Sequence, residues 1–306
     1  MDWLVAAEAG AEAAGVAAEA AARVSDAEAL MCSDSTYSRR PLLTVLRYRQ
    51  AMEAECPREA NCSCSLSVVP DLHAQGPGGA RVFRPMVTVD CAGRGLRQLP
   101  PELPANATTL HVEHNQISDL RPLVANEHYR GVLDVYLDGN GVRSVAALEG
   151  SAWLLRFRLL SLRGNRLARL PTYALESALQ RNRHAARLYL GDNPWTCDCQ
   201  STPSFQEFLA KYRQVVQDQQ DIRCALEGGE GGGGAGEGEG EDGRVLLRDV
   251  SRNALCREHA GYLVQPLDLL NGALASLILL ILGKLAYDYW HFKRTGKLPW
   301  IVTKMP

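Results

Sequence analysis

The chain has 306 residues, a formal net charge of -2, 46% hydrophobic residues and nine cysteines. This size allows two domains, and the near-neutral charge excludes a general nucleic-acid binder, whose surface must be basic. Nine cysteines are many for a reducing compartment. Eight of them fall into two sets at close spacing and read as disulfides, with Cys32 left over. A zinc reading of Cys62-x-Cys64 and Cys197-x-Cys199 is weaker, because structural zinc ligands are usually two to four residues apart.

Residues 1–36 form an Ala/Glu-rich, low-complexity extension. Asp2 stands where a secretory signal has a basic start, and Glu8, Glu12 and Glu19 interrupt the apolar run, so no signal peptide is recognisable. The run is either a helical or disordered extension or a start that hides a true leader. Residues 37–55, with Leu42, Leu43, Val45, Leu46 and Tyr48 among arginines, predict a short lead-in helix. Residues 56–104 carry Cys56, Cys62, Cys64 and Cys91, followed by Leu96-x-x-Leu99-Pro100.

Residues 105–192 repeat one apolar phrase. The copies are Leu110-x-Val112-x-x-Asn115, Val135-x-Leu137-x-x-Asn140, Leu160-x-Leu162-x-x-Asn165 and Leu188-x-Leu190-x-x-Asn193, with the asparagines 25, 25 and 28 residues apart. Two apolar residues two positions apart point to the same side of a short strand. Ile117 and Leu120, with their counterparts Val142, Val145, Leu167 and Leu170, turn the chain back over the same core. An asparagine side chain both donates and accepts, so a buried column of them satisfies backbone groups where each strand ends. A fixed period with this core is the signature of leucine-rich repeats. The fold class expected is therefore an α/β leucine-rich-repeat solenoid, a short horseshoe with a parallel concave sheet. Residues 172–180 read as a convex-side helix that absorbs the three extra residues of the last interval.

The flanks resemble the cysteine-rich caps of extracellular leucine-rich-repeat proteins, Cys56 to Cys91 before the repeats and Asn193-Pro-Trp-Thr-Cys-Asp-Cys199 with Cys224 and Cys256 after them. Terminal repeats would otherwise expose core, so caps are required. The resemblance implies the interlaced pairs Cys56–Cys64, Cys62–Cys91, Cys197–Cys224 and Cys199–Cys256. The run from Cys64 to Cys91 is longer than in such caps and contains Gly76-Pro77-Gly78-Gly79, which predicts an inserted loop.

The C-terminal cap is expected over 193–266, interrupted at 227–243 by an almost pure Gly/Glu loop that cannot bury apolar surface. Residues 267–290 predict one transmembrane helix. Its unbroken core, Leu274 to Gly283, is short for a bilayer, and Lys284 with Tyr287, Tyr289 and Trp290 extends it to the headgroups. In the tail, 291–306, Lys293, Arg294, Lys297 and Lys304 are not balanced by any acid, which predicts a cytoplasmic C-terminus and an extracellular N-terminus at the plasma membrane. The span and tail resemble an insect family with the same order of repeats, cap, single span and short tail. That resemblance implies a part in hormone-timed insect development.

No motif for catalysis is present, and neither a metal nor a cofactor is expected. His111-x-Glu113-His114, with His128, reads as solvated surface because metal sites need three or four convergent ligands. The expected activity is extracellular protein binding, as a receptor, co-receptor or adhesion protein with a protein ligand and a possible signalling partner in the membrane. The alternative is a tethered structural or matrix-organising protein. Outward strand positions stack into columns Asp90, His111, Tyr136, Ser161, Tyr189; Ala92, Glu113, Asp138, Arg163, Gly191; and Thr88, Thr109, Asp134, Leu159, Arg187. The binding residues expected on the concave face are His111, Glu113, Asp134, Tyr136, Asp138, Arg163, Arg187 and Tyr189, with acids toward the N-terminal half and arginines toward the C-terminal half. Asn106-Ala-Thr108 is a glycosylation sequence; Asn61-Cys-Ser63 is a weaker one because its cysteine is expected to be bonded.

Overall fold

The computed structural model describes residues 30–33, 36–75, 81–226, 244–256 and 266–296. Most of the N-terminal extension, the Gly/Glu loop at 227–243 and the last ten residues lie outside the described residues. The chain divides into two units, 1–256 and 257–306.

In the first unit, helix α1 (Leu42–Glu55) buries Leu43, Val45 and Met52. It leads into strands β1 (Ser63–Gln75) and β2 (Arg81–Asp90), which pair antiparallel from Ser63 opposite Asp90 to Pro70 opposite Phe83. The run at 76–79 expected as an inserted loop lies outside the described residues, and the residues on either side of it are strands. The reason is a period of two: Leu66, Val68, Val87 and Val89 alternate with polar residues and are all at most 5% exposed, which is how a half-buried strand is spelled. The edge of β1 is occupied, since the Tyr37 hydroxyl donates to the Leu66 carbonyl at 2.9 Å and Arg40 Nε to the Val68 carbonyl at 2.8 Å. An open strand edge is a template for pairing with another chain. The segment ahead of the cap is thus built into it.

Strands β3 (Ala107–His111), β4 (Asp134–Tyr136), β5 (Leu159–Ser161) and β6 (Arg187–Tyr189) continue the sheet in sequence order, parallel from β2 onward. Leu110, Val135, Leu160 and Leu188 pair in register and are at most 1% exposed. The asparagines form the column that their spacing implies. Asn140 Nδ2 donates to the Val112 and Leu137 carbonyls at 2.8 and 3.1 Å, and its Oδ1 accepts from Ile117 N at 2.9 Å. Asn165 and Asn193 repeat the pattern one copy on. The residue ahead of each asparagine has a left-handed backbone: His114 (φ 54°), Gly139 (65°), Gly164 (63°) and Asp192 (55°). That turn swings the chain out of the strand so that the asparagine can point back under it. Behind the sheet, Tyr129, Trp153 and Phe157 fill the core, with Tyr129 OH and Trp153 Nε1 donating to the Pro100 and Val132 carbonyls. Helix α2 (Thr172–Arg181) lies in the longest interval.

The C-terminal cap closes the stack. Strand β7 (Trp195–Cys197), helix α3 (Thr202–Lys211), strand β8 (Arg223–Leu226) and strand β9 (Val245–Leu246) form a second, three-stranded sheet with a helix. Among the described residues no further strand joins the first sheet after β6, and the cap loop takes its place. Leu188 N donates to the Val215 carbonyl at 2.8 Å, and the Asp218 carboxylate accepts from Leu190 N and Gly191 N at 3.0 and 2.7 Å. Burial outweighs those bonds and pushes the Asp218 carboxyl above its ordinary range. Disulfides join Cys56 to Cys64, Cys62 to Cys91, Cys197 to Cys224 and Cys199 to Cys256.

The second unit is one helix, α4 (Pro266–Thr295). From Leu269 onward its leucines and isoleucines are more than half exposed, for example Leu279 at 68% and Leu280 at 73%. Among the described residues it is the one helix long and apolar enough to cross a membrane. Lys284 pairs with Asp288 one turn later at 2.5 Å, and the Arg294 guanidinium lies over the Trp290 ring at 4.1 Å.

Candidate binding face

Strand pairing sets two of the three columns. Asp90, His111, Tyr136, Ser161 and Tyr189 stand side by side, as do Thr88, Thr109, Asp134, Leu159 and Arg187. The chemistry on them is unequal. His111 and Tyr136 stack almost parallel, 4.3 Å between ring centres with 7° between planes. His111 Nδ1 lies 2.8 Å from Glu113 Oε1. This bond, with the added charges of Asp90 and Asp134, raises the imidazole above its usual pKa against the cost of burial. The other oxygen, Glu113 Oε2, is buried without a partner among the described residues. Asp138 follows on the next strand and accepts from the Ser161 hydroxyl. Burial first, and then the Glu113 charge, raises its carboxyl above the ordinary range despite that bond. Two carboxylates and two stacked rings therefore share one shallow, half-buried surface, with Tyr189 on the same row.

Two expected contact residues have other work. Asp134 is only 6% exposed, because Arg158, from the turn before β5, covers it with a paired guanidinium whose Nε is 2.8 Å from Oδ1. Asp134 is thus buried beneath an exposed arginine, and the expectation of an open position there is corrected. Arg163 bridges Asp192 and Asp221 at 2.7 Å each, so it fastens the last repeat to the cap. Beyond the columns, charge also follows strand direction. Glu113, Asp138, Asp192, Asp218 and Asp221 lie where strands end, and Arg156, Arg158, Arg183 and Arg187 where they begin. The missed signal was in the sequence: Arg-Phe-Arg158 precedes β5 and Arg183 precedes β6, just outside the strand positions that define the columns. Asn106 is exposed one residue ahead of β3, its carbonyl accepting from Val87 N at 2.9 Å. Asn61 has a left-handed backbone beside the bonded Cys62.

Asparagine-aligned repeats between disulfide-bonded ends, followed by a helix suited to a membrane span, define a leucine-rich-repeat protein of the secreted or membrane-bound kind. Residues 267–304 match the Halfway C-terminal domain family. The chain is similar to Drosophila melanogaster singed wings 2, 39% identical over 291 residues covering 92% of this chain and 54% of that protein. It is also similar to Drosophila melanogaster halfway, 28% identical over 251 residues covering 82% and 37%. Bos taurus leucine-rich repeat-containing protein 3 is 30% identical over 171 residues, 56% of this chain and 55% of that protein. The chain thus spans about half the length of singed wings 2 and a little over a third of halfway. These relatives are repeat proteins of the halfway and leucine-rich types, not members of an enzyme family.

Proposed function

We propose that the chain is a single-pass plasma-membrane protein that acts by binding a protein outside the cell, as a receptor, co-receptor or adhesion protein, and not by catalysis. In this reading the repeats form a short horseshoe whose concave surface is the open face of the sheet. The domains follow the boundaries above, except that the segment from Leu30 to Glu55 joins the N-terminal cap. The excess of Lys and Arg after α4 supports a cytoplasmic C-terminus, and the disulfides support an oxidising exterior for the caps. A place in hormone-timed insect development is part of the same proposal, suggested by the resemblance to halfway and singed wings 2.

The observation that carries the reading is the pairing of the flat His111–Tyr136 stack with a buried Glu113 oxygen that has no partner among the described residues. Buried polar atoms are nearly always bonded, and an exception asks for a missing group. A partner's donor laid on the stack would supply it, and tyrosine is prominent among residues that dominate binding energy. The test is capture of binding partners by the full chain on cells, with Tyr136→Ala and Tyr189→Ala compared with wild type at equal surface expression. Each is expected to weaken capture by roughly 1–3 kcal/mol. Unchanged capture by the double variant would move the site off this face. Arg163→Ala is a poor probe, because losing its two aspartate bridges disturbs the cap.

A further inference from the structure

The arginines at the beginnings of the strands form a rim of their own. Arg156 and Arg158 precede β5, Arg183 precedes β6, Arg187 opens it, and Arg213 stands two residues before Val215, whose carbonyl accepts from Leu188 N. The Arg158 carbonyl in turn accepts from Ala186 N and Arg187 N at 2.8 and 3.1 Å. Leu160, Leu188 and Val216 thus stand side by side on three successive chain segments, at roughly the 4.8 Å strand spacing, and each segment carries arginine a few residues before that row. All five residues are exposed. Only Arg158 is matched with an acid; Arg156, Arg183, Arg187 and Arg213 have no carboxylate partner among the described residues.

We infer that this rim binds a linear polyanion, an acidic sulfated polysaccharide, lying across the strands. Guanidinium groups present forked donors that match sulfate and carboxylate oxygens. A row with about one cation per strand suits an extended chain of anions. A flat anionic membrane fits less well, because Glu113, Asp138 and Asp192 at the other end of the same strands would face it. The inference rests on the disulfide-bonded unit facing the exterior, and it is independent of the Tyr136 face, since Arg156, Arg183 and Arg213 lie outside it.

The experiment uses the full chain in non-ionic detergent on immobilised heparin at about 0.15 M salt, where exposed charges farther apart than about 8 Å are screened. Wild type is expected to be retained. The triple variant Arg156→Ala, Arg183→Ala, Arg213→Ala is expected to elute at lower salt, with roughly tenfold weaker binding for three exposed ion contacts. The triple lysine variant, which keeps the charges and controls for folding, is expected to retain most of the binding, and Tyr136→Ala all of it. Passage of wild type through the column, or equal elution of the alanine variant, would overturn the inference. So would loss of heparin binding by Tyr136→Ala, which would put the contact on the other face. Binding to phosphatidylserine vesicles that heparin does not compete away would make the rim a membrane site and overturn it as well.

Discussion

At the scale of single residues, four asparagines carry the architecture. Each replaces the backbone partners that a strand loses when it leaves the sheet, and each is buried at 7% exposure or less. Asn165 shows the balance. It donates to the Leu137 and Arg163 carbonyls at 2.8 and 3.2 Å and accepts from Val142 N at 3.0 Å. Alanine there would leave three backbone groups on two copies of the repeat unpaired and dry. A buried unsatisfied group costs about 1–3 kcal/mol, so Asn165→Ala is expected to lower stability by roughly 2–4 kcal/mol. Urea denaturation of the purified chain measures it, and a loss under about 1 kcal/mol would mean that water reaches the column. His111 and Glu113 illustrate the other extreme, a residue pair whose geometry serves the surface rather than the core.

At the scale of elements, the turns that end the strands are the most exacting part. Gly164 has a left-handed backbone, and a Cβ there would meet Gly139 N at 3.6 Å, an ordinary contact, so alanine costs only the conformational term of about 1–2 kcal/mol. Gly131, in the turn before β4, has an ordinary φ, but a Cβ there would lie 2.9 Å from the Ala107 carbonyl oxygen. Backbone cannot swing aside as a side chain does. Gly131→Ala must displace β3 from β4 and is expected to cost roughly 2–3 kcal/mol, more than Gly164→Ala. Thermal unfolding of both variants decides the order, and the reverse order would show that β3 yields easily. The β1–β2 hairpin belongs to the same scale. Its Leu-Ser-Val and Val-Thr-Val alternation was legible as strand, yet the Gly-Pro-Gly-Gly run between the halves suggested a loop.

For the whole molecule the open question is which side of a membrane each unit occupies. A disulfide-bonded unit and a basic tail on either side of one apolar helix lead to the expectation that external protease removes the first unit from intact cells while a C-terminal tag survives. The same arrangement exposes Asn106 to the glycosylation machinery. Amidase treatment should then increase gel mobility for wild type and leave Asn106→Gln almost unshifted. A digested tag, or identical mobility before and after amidase, would count against this orientation.

The sequence by itself determined the repeat frame, the positions of the strands and asparagines, and the apolar helix, because each follows from a local period: two along a strand, a recurring interval from copy to copy, and an uninterrupted apolar run. The cysteine pairing came from likeness to known caps and not from spacing. Only the tertiary structure decided which charges remain available. Sequence placed Asp134 and Arg163 on an open face with the rest. Folding brought Arg158 over the one and set Asp192 and Asp221 against the other, partners 24, 29 and 58 residues away along the chain. Electrostatic pairing acts through space and depends on which loops meet at each end of the sheet. No periodicity encodes it, and so the acidic trailing ends and the arginine rim became visible only once the strands stood side by side.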